Sequence, residues 1–213
     1  IVYEDLGQKN NSDKYEFILP RLSLNKDIKN NTNLDGNFSF KSNNIARNYK
    51  TNIFEKTNIN DLIFNSNPKI TNNGFYNNYD FILKNVNSDT QNSKDFKKGE
   101  NFYFSGLFQY NSSLPLIKDN TNFQNILKPK FSLKLSPNNT KDISTNETRL
   151  DVANIYDLQR INRNDTVEGG VSLSYGNDFT IFDKNNSRDY FSLKVANNLR
   201  FEENDDLSKS NQL

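Results

Sequence analysis

Several stretches of this chain alternate apolar and polar residues with a period of two, which restricts them to β-strands with two unlike faces. Between residues 101 and 111, Phe102, Phe104, Phe108 and Tyr110 share one face with Gly106 in register, while Ser105, Gln109 and Asn111 fall on the other. The pattern returns in Leu34, Phe38 and Phe40, and in Phe131, Leu133 and Leu135 against Lys130, Ser132 and Lys134. It returns again in Val171, Leu173 and Tyr175 against Ser172 and Ser174, and in Phe191, Leu193 and Val195 against Ser192 and Lys194. Segments of this kind assemble into a large sheet with one apolar surface.

The remainder of the chain is too polar for an ordinary core. Only 33% of its 213 residues are hydrophobic, and the mean hydropathy is -0.88. Disordered chains reach such values by lacking aromatic and β-branched residues, but here 13% of the residues are Phe or Tyr, set at strand spacing. A transmembrane barrel needs apolar side chains only where it meets lipid, with a polar interior and polar loops, so a low mean hydropathy is what it predicts. The net charge of +1, without a basic block, leaves no nucleic-acid footprint. No apolar run approaches the roughly 18 to 20 residues of a membrane helix. The chain contains no Met and begins in a stretch, 1–6, that already reads as a strand. It is therefore expected to be an internal piece of a longer polypeptide, in which the lack of a signal peptide at the start has no bearing on export.

The alternation places strands at 1–6, 14–24, 34–42, 47–54, 60–65, 75–86, 101–111, 123–136, 149–158, 166–175, 180–182 and 188–201. Several are about ten residues, enough for a tilted strand to cross a bilayer. Asn clusters at 10–11, 30–33, 138–139 and 185–186 mark loops, since Asn tolerates left-handed backbone and caps its own turn. Short turns such as Gly176, Asn177 and Asp178 alternate with long polar stretches at 87–100 and 138–148, and sorting of the two kinds to opposite ends is the barrel habit. Pro20 and Pro129 belong at a strand start, an edge or a bulge, because proline cannot donate to a ladder. No window carries helical spacing with caps. Tyr15, Tyr49, Tyr76, Tyr79, Tyr175 and Tyr190 near strand ends suit membrane interfaces in a chain without Trp, since a phenol has an apolar body and a wet tip. Tyr76, Ile82, Tyr103 and Leu107 place apolar groups on the otherwise polar face.

Catalytic chemistry has little to work with. His and Cys are absent, which removes the commonest general base, the usual zinc ligands and a thiol nucleophile. Asp165 with Glu168, and the cluster Glu202, Glu203, Asp205 and Asp206, are the carboxylate groupings, and one local cluster without a second arm cannot fill an oxygen-ligand sphere. Neither an enzyme activity nor a cofactor is expected. Gly169 and Gly170 sit within a strand pattern, where a bulge or close backbone approach is the default. The triplets at 111–113 and 146–148 have the glycosylation pattern, which an Asn-rich chain produces by chance.

Residues 127–176 carry a more specific pattern. The run from Leu127 and Pro129 to Ser136 and Pro137 is a strand that opens with Pro and closes with Ser-Pro; Asn146, Glu147 and Thr148 follow in a loop. Then come Arg160, Asn164, Asp165, Glu168 and Gly170, and after them Tyr175 and Gly176. In order and spacing this resembles the barrel domain of the LptD family, the lipopolysaccharide-assembly proteins of the outer membrane, also called organic solvent tolerance proteins. Gln159, Ile161, Arg163 and Thr166 depart from the family's Asn, Phe, Gly and Arg.

The resemblance implies an all-β, antiparallel transmembrane β-barrel segment, with 1–213 forming part of the family's C-terminal barrel domain. In isolation it would be an incomplete, open or curled sheet with two unpaired edges. It implies the outer membrane of a Gram-negative bacterium as location. The implied partners are lipopolysaccharide, an LptE-like lipoprotein plug, periplasmic bridge proteins and outer-membrane lipid. Pro129, Arg160, Asp165, Glu168, Tyr175 and Gly176 are the motif positions, with Arg160, Asp165 and Glu168 expected at or near the lumen side of a hairpin and paired with one another. Another outer-membrane barrel, a porin or plugged receptor, and a secreted adhesin-like β-sandwich or solenoid are the alternatives.

Overall fold

A computed structural model describes residues 2–4, 15–50, 52–141 and 148–211. Within them lies one antiparallel sheet of eleven strands: β1 (Val2–Glu4), β2 (Tyr15–Ile28), β3 (Gly36–Tyr49), β4 (Ile53–Ser66), β5 (Lys69–Ile70), β6 (Tyr76–Gln91), β7 (Gly99–Ser113), β8 (Leu116–Asp119), β9 (Phe123–Ser136), β10 (Gly170–Asp183) and β11 (Arg188–Arg200). The order is a meander, β1-β2-β3-β4-β6-β7-β9-β10-β11, with β5 and β8 added to β6 and β9. The sheet is open, with β1 and β11 at its two ends. Among the described residues the only helical element is a 3-10 turn, Lys209–Asn211.

The two-residue period carries straight into the register. One row on the apolar face runs Ile28, Phe38, Phe64, Phe81, Phe108, Leu135, Val171 across seven strands. Its rings touch, with Phe38 and Phe64 centroids 4.7 Å apart and Phe64 and Phe81 stacked at 5.3 Å; aromatic pairs of this kind add about 0.5–1.5 kcal/mol each beyond area burial. The row leaves β2 at its last residue and reaches β10 at its second, so the strands are staggered in one sense, as strands tilted to a common axis must be.

The distribution of burial is inverted relative to a sheet that faces water with its polar side. Phe102, Phe104, Phe108, Phe131, Leu135, Tyr175, Leu193, Val195 and Leu199 are exposed, whereas Lys84, Gln109, Ser132, Lys134, Ser172 and Ser174 are at most 2% exposed. What covers the polar face is irregular chain: 137–141 and 148–169 between β9 and β10, joined by 201–211 after β11.

Several expected boundaries differ. The strand expected at 47–54 is the β3–β4 hairpin, turning through Lys50 in left-handed backbone. Residues 166–175 and 180–182 are not two strands about a turn. Gly176, Asn177 and Asp178 continue β10 opposite Lys130, Pro129 and Lys128, and the 2.7 Å ion pair of Lys130 with Asp178 shows cross-strand pairing overriding local turn propensity. The long loop expected at 87–100 shrinks to 92–98, and Asn87 to Gln91 complete β6. Residues 149–158 form turns, because Asp151 accepts from the Ala153 and Asn154 N–H groups and so caps a local bend. Short and long connections are not sorted to opposite ends: β3 leads into β4 at the same end of the sheet at which β9 leads toward β10.

Pro20 lies in the bulge between Ile18 and Arg21, where the β2–β3 register shifts. The Pro129 carbonyl accepts from Leu114 N–H at 3.0 Å, so its ring nitrogen faces the gap where β7 gives way to β8 and no ladder donor is missed. Of the tyrosines, Tyr15, Tyr76 and Tyr190 do sit near strand ends. Tyr49, at the end of β3, turns its hydroxyl to Glu55, Tyr79, near the start of β6, packs between Phe64 and Phe108, and Tyr175 alone is well inside its strand, β10.

Candidate functional site

The residues that interrupt the polar face are the seat of residues 148–169. Ile82 and Leu107 bury Val167, with Ile63 and Leu158 packed alongside. The Tyr103 hydroxyl accepts from Thr166 Oγ1 at 3.0 Å and from the Val167 N–H at 3.2 Å. Farther along, Ile161 meets Leu207 from the stretch after β11. These apolar contacts are small, and side-chain hydrogen bonds from the sheet supply much of the remaining hold.

At the centre of the contact is a buried charge cluster. Arg160, 1% exposed, grips Glu168 with two parallel bonds, Nε to Oε2 at 2.6 Å and Nη2 to Oε1 at 2.5 Å. Arg200, the last residue of β11, donates to the same Oε1 at 2.6 Å. The rest of the Arg160 fork reaches the sheet at Ser172 Oγ (2.7 Å), Ser174 Oγ (2.8 Å) and Asn198 Oδ1 (2.8 Å), and the segment's own Ile155 carbonyl at 3.3 Å. The planar five-donor geometry of guanidinium makes such a node possible where an ammonium would not.

Other groups of the sheet reach the segment's backbone. Lys84 donates to the Asn164 carbonyl at 2.8 Å while paired with Asp61 at 2.6 Å. Lys134 donates to the carbonyls of Asp157 and Leu158. Gln109 Nε2 donates to the Tyr156 carbonyl at 2.6 Å and to Ser132 at 2.8 Å. Sequence reasoning missed Lys84, Gln109, Lys134 and Arg200 as functional positions. The one available signal was Lys84, which shares its strand face with Ile82 and Val86 and so falls where burial is expected.

Of the six motif residues, Arg160 and Glu168 are brought together, while Asp165 pairs elsewhere, with Lys141 and with Arg163 Nε at 3.0 Å. Pro129 and Tyr175 lie on the apolar face, and Asn197 Nδ2 donates to the Tyr175 hydroxyl at 3.2 Å. Gly176 faces the segment, and a Cβ there would meet the Val195 carbonyl and lie 2.6 Å from the Tyr156 hydroxyl. Glycine is thus what lets the Tyr156 ring lie on β10, with Lys130 Nζ 4.4 Å from its centroid. Gly169 and Gly170 end the segment; Gly170 opens β10 at φ +86°, a conformation open to few other residues. Glu202, Glu203 and Asp205 are exposed, and the same turn buries Asn204 and Leu207.

No protein-family model and no curated protein matches this chain. What the site can do follows from its electrostatics. Burial by itself would raise the Glu168 carboxyl, but the hydrogen bonds and charge of Arg160, with the charges of Lys134 and Arg200, bring it down to about 2. Asp165 is likewise lowered, against its burial, by Arg163 and Lys141. With its oxygens taken up by Arg160 and Arg200, the Glu168 carboxylate stays ionised at neutral pH and fastens the segment to β11.

The sign of its pH dependence follows. The folded Glu168 binds its proton more weakly than an unfolded glutamate near 4.3, so its contribution is fully present above about pH 4.3 and is lost as pH falls through about 2. Protease resistance of 148–169 is expected to be flat from pH 7 to 5 and to collapse between about pH 4 and 2. A collapse already at pH 6 would show that these two carboxylates are not what holds it.

Proposed function

We propose that this chain is part of a membrane-spanning β-barrel of a Gram-negative outer membrane, and that the barrel takes part in assembling lipopolysaccharide into the outer leaflet. The observation that carries the membrane part is the inverted burial: a broad face of Phe, Leu, Val and Tyr is exposed while lysine, arginine, glutamate and serine are buried behind it. Water-soluble monomers rarely leave continuous apolar surface larger than a few hundred Å². For a barrel wall the same face meets lipid and the polar face meets the lumen. Strand length agrees. A strand of 14 residues such as β9 spans about 46 Å at 3.3 Å per residue, or about 33 Å of depth at a 45° tilt, against a hydrocarbon core of about 30 Å.

The lipopolysaccharide part rests on the order and spacing of Pro129, Arg160, Asp165, Glu168, Tyr175 and Gly176. On this proposal the partners are lipopolysaccharide, an LptE-like lipoprotein plug, periplasmic bridge proteins and membrane lipid. The open edges at β1 and β11 are where a complete barrel would continue, because exposed strand edges are not tolerated in hydrocarbon.

The test is expression of the full reading frame with its native signal. A product found in the outer-membrane fraction, migrating differently on a gel before and after boiling, supports the barrel; loss of surface lipopolysaccharide on depletion supports the assembly role. A soluble product overturns the barrel. A membrane barrel whose depletion leaves lipopolysaccharide unchanged and solute uptake reduced would make it a porin or receptor instead.

A further inference from the structure

We propose that residues 148–169 are a removable gate closed by Glu168, and that the strip they cover, formed by Lys84, Gln109, Ser132, Lys134, Ser172 and Ser174, is the wall of a solute path. The path presupposes the membrane barrel proposed above.

The chemistry of the covered strip points this way. Ser132 and Lys84 are 0% exposed, and Lys134 and Ser174 1%, yet each is a group that water solvates at least as well as protein does. A permanent core gains by filling such positions with apolar side chains, since buried ion pairs and hydroxyls add little net stability over well-packed hydrophobes. Polar groups are the better choice where a surface is alternately dry and wet.

The mode of attachment agrees. The segment adds no strand to the sheet, so leaving breaks no ladder. Sheet side chains donate to its carbonyls, Lys84 to Asn164, Gln109 to Tyr156, Lys134 to Asp157 and Leu158, and the Tyr103 hydroxyl accepts from Thr166 Oγ1 and the Val167 N–H. Each of these exchanges for water at small net cost. Its apolar hold is the Val167 contact with Ile82 and Leu107 and the Ile161 contact with Leu207.

The exception is Glu168. It lies between Arg160 of the segment and Arg200 of β11, fastening the gate to the wall at the point where the segment enters β10. Arg160 in turn holds Ser172, Ser174 and Asn198, so one carboxylate orders the guanidinium that makes the remaining contacts. Neutralising it unfastens both arginines at once.

The chain has no cysteine, which makes single thiols clean reporters. In outer membranes carrying the full protein, Ser132→Cys reports the covered strip, Asn43→Cys the exposed part of the polar face, and Leu83→Cys the apolar face. Each is treated with a water-soluble, charged thiol reagent. With Glu168 present, Asn43→Cys is expected to label quickly and Ser132→Cys slowly. Adding Glu168→Gln is expected to speed labelling of Ser132→Cys on the order of a hundredfold, the scale of losing a buried charge partner, without changing Asn43→Cys. Lys134→Gln, which removes the contacts to the Asp157 and Leu158 carbonyls and leaves the Arg160–Glu168 pair, serves if Glu168→Gln fails to assemble, with a smaller increase in Ser132→Cys labelling expected.

Equal rates at Ser132→Cys with and without these changes, whether fast or slow, overturn the gate. Leu83→Cys separates this from failure of the barrel: shielded by lipid it stays unlabelled, and in a water-soluble protein it labels as readily as Asn43→Cys.

Discussion

Arg160→Ala is expected to unseat residues 148–169 while leaving the sheet in place. The substitution leaves Glu168 in a buried site with Arg200 alone, and removing one partner of a buried pair costs about 3–5 kcal/mol. The loss falls on the segment because the Arg160 contacts lie there or between it and β10–β11, and none of them involves β2 to β4. Trypsin cleavage after Arg163, which is tied to Asp165 in the folded protein, is the readout. Arg160→Lys is expected to recover little, since one ammonium cannot span both carboxylate oxygens and reach two serines and an asparagine. Arg160→Ala with Glu168→Ala is expected to cost less than the sum of the two, with a coupling of about 0.5–3 kcal/mol. Unchanged proteolysis in Arg160→Ala would mean that the apolar contacts, not the charge cluster, hold the segment.

Phe131→Lys is expected to weaken the protein by about 2–4 kcal/mol if the apolar face meets lipid, the cost of a lysine near the bilayer midplane. Phe131 is exposed on that face near the middle of β9, in ring contact with Tyr110. In water the same change is close to neutral and improves solubility, because an exposed ring is replaced by a solvated cation. The two outcomes thus differ clearly in size. Urea midpoints measured after folding into lipid vesicles, with Lys130→Phe as the opposite exchange on the polar face, distinguish them.

Much of the sheet was legible beforehand. The runs at 101–111 and 123–136 fall within β7 and β9, and the residues on each face are those that the alternation separated, because a pleated strand has no freedom to choose otherwise. Strand ends were less legible. Asn87 to Gln91 look like loop and yet complete β6, since pairing with β4 and β7 decides the matter and polar residues with strand partners are as extended as apolar ones. Gly176, Asn177 and Asp178 look like a turn, and only their partners on both sides, Lys130, Pro129 and Lys128 of β9 and Ala196, Val195 and Lys194 of β11, keep them straight.

The segment 148–169 was the hardest to read. Val152 to Asp157 mimic a strand locally, and nothing near them in the chain says that Lys84, 80 positions before Asn164, will hold them against a sheet. Arg160 and Glu168 could be expected to pair from their proximity in sequence, but the participation of Arg200, 32 positions on, and the diversion of Asp165 to Lys141 could not.

By itself, then, the chain's two-residue period determined that it forms strands with one apolar and one polar face, and its composition left no imidazole or thiol to work with. Tertiary structure alone decided which face is covered, and by what. Alternation is a property of neighbours along one strand, whereas burial of a lysine or an arginine depends on oxygen atoms delivered from distant parts of the chain, a match that only the folded register brings into reach.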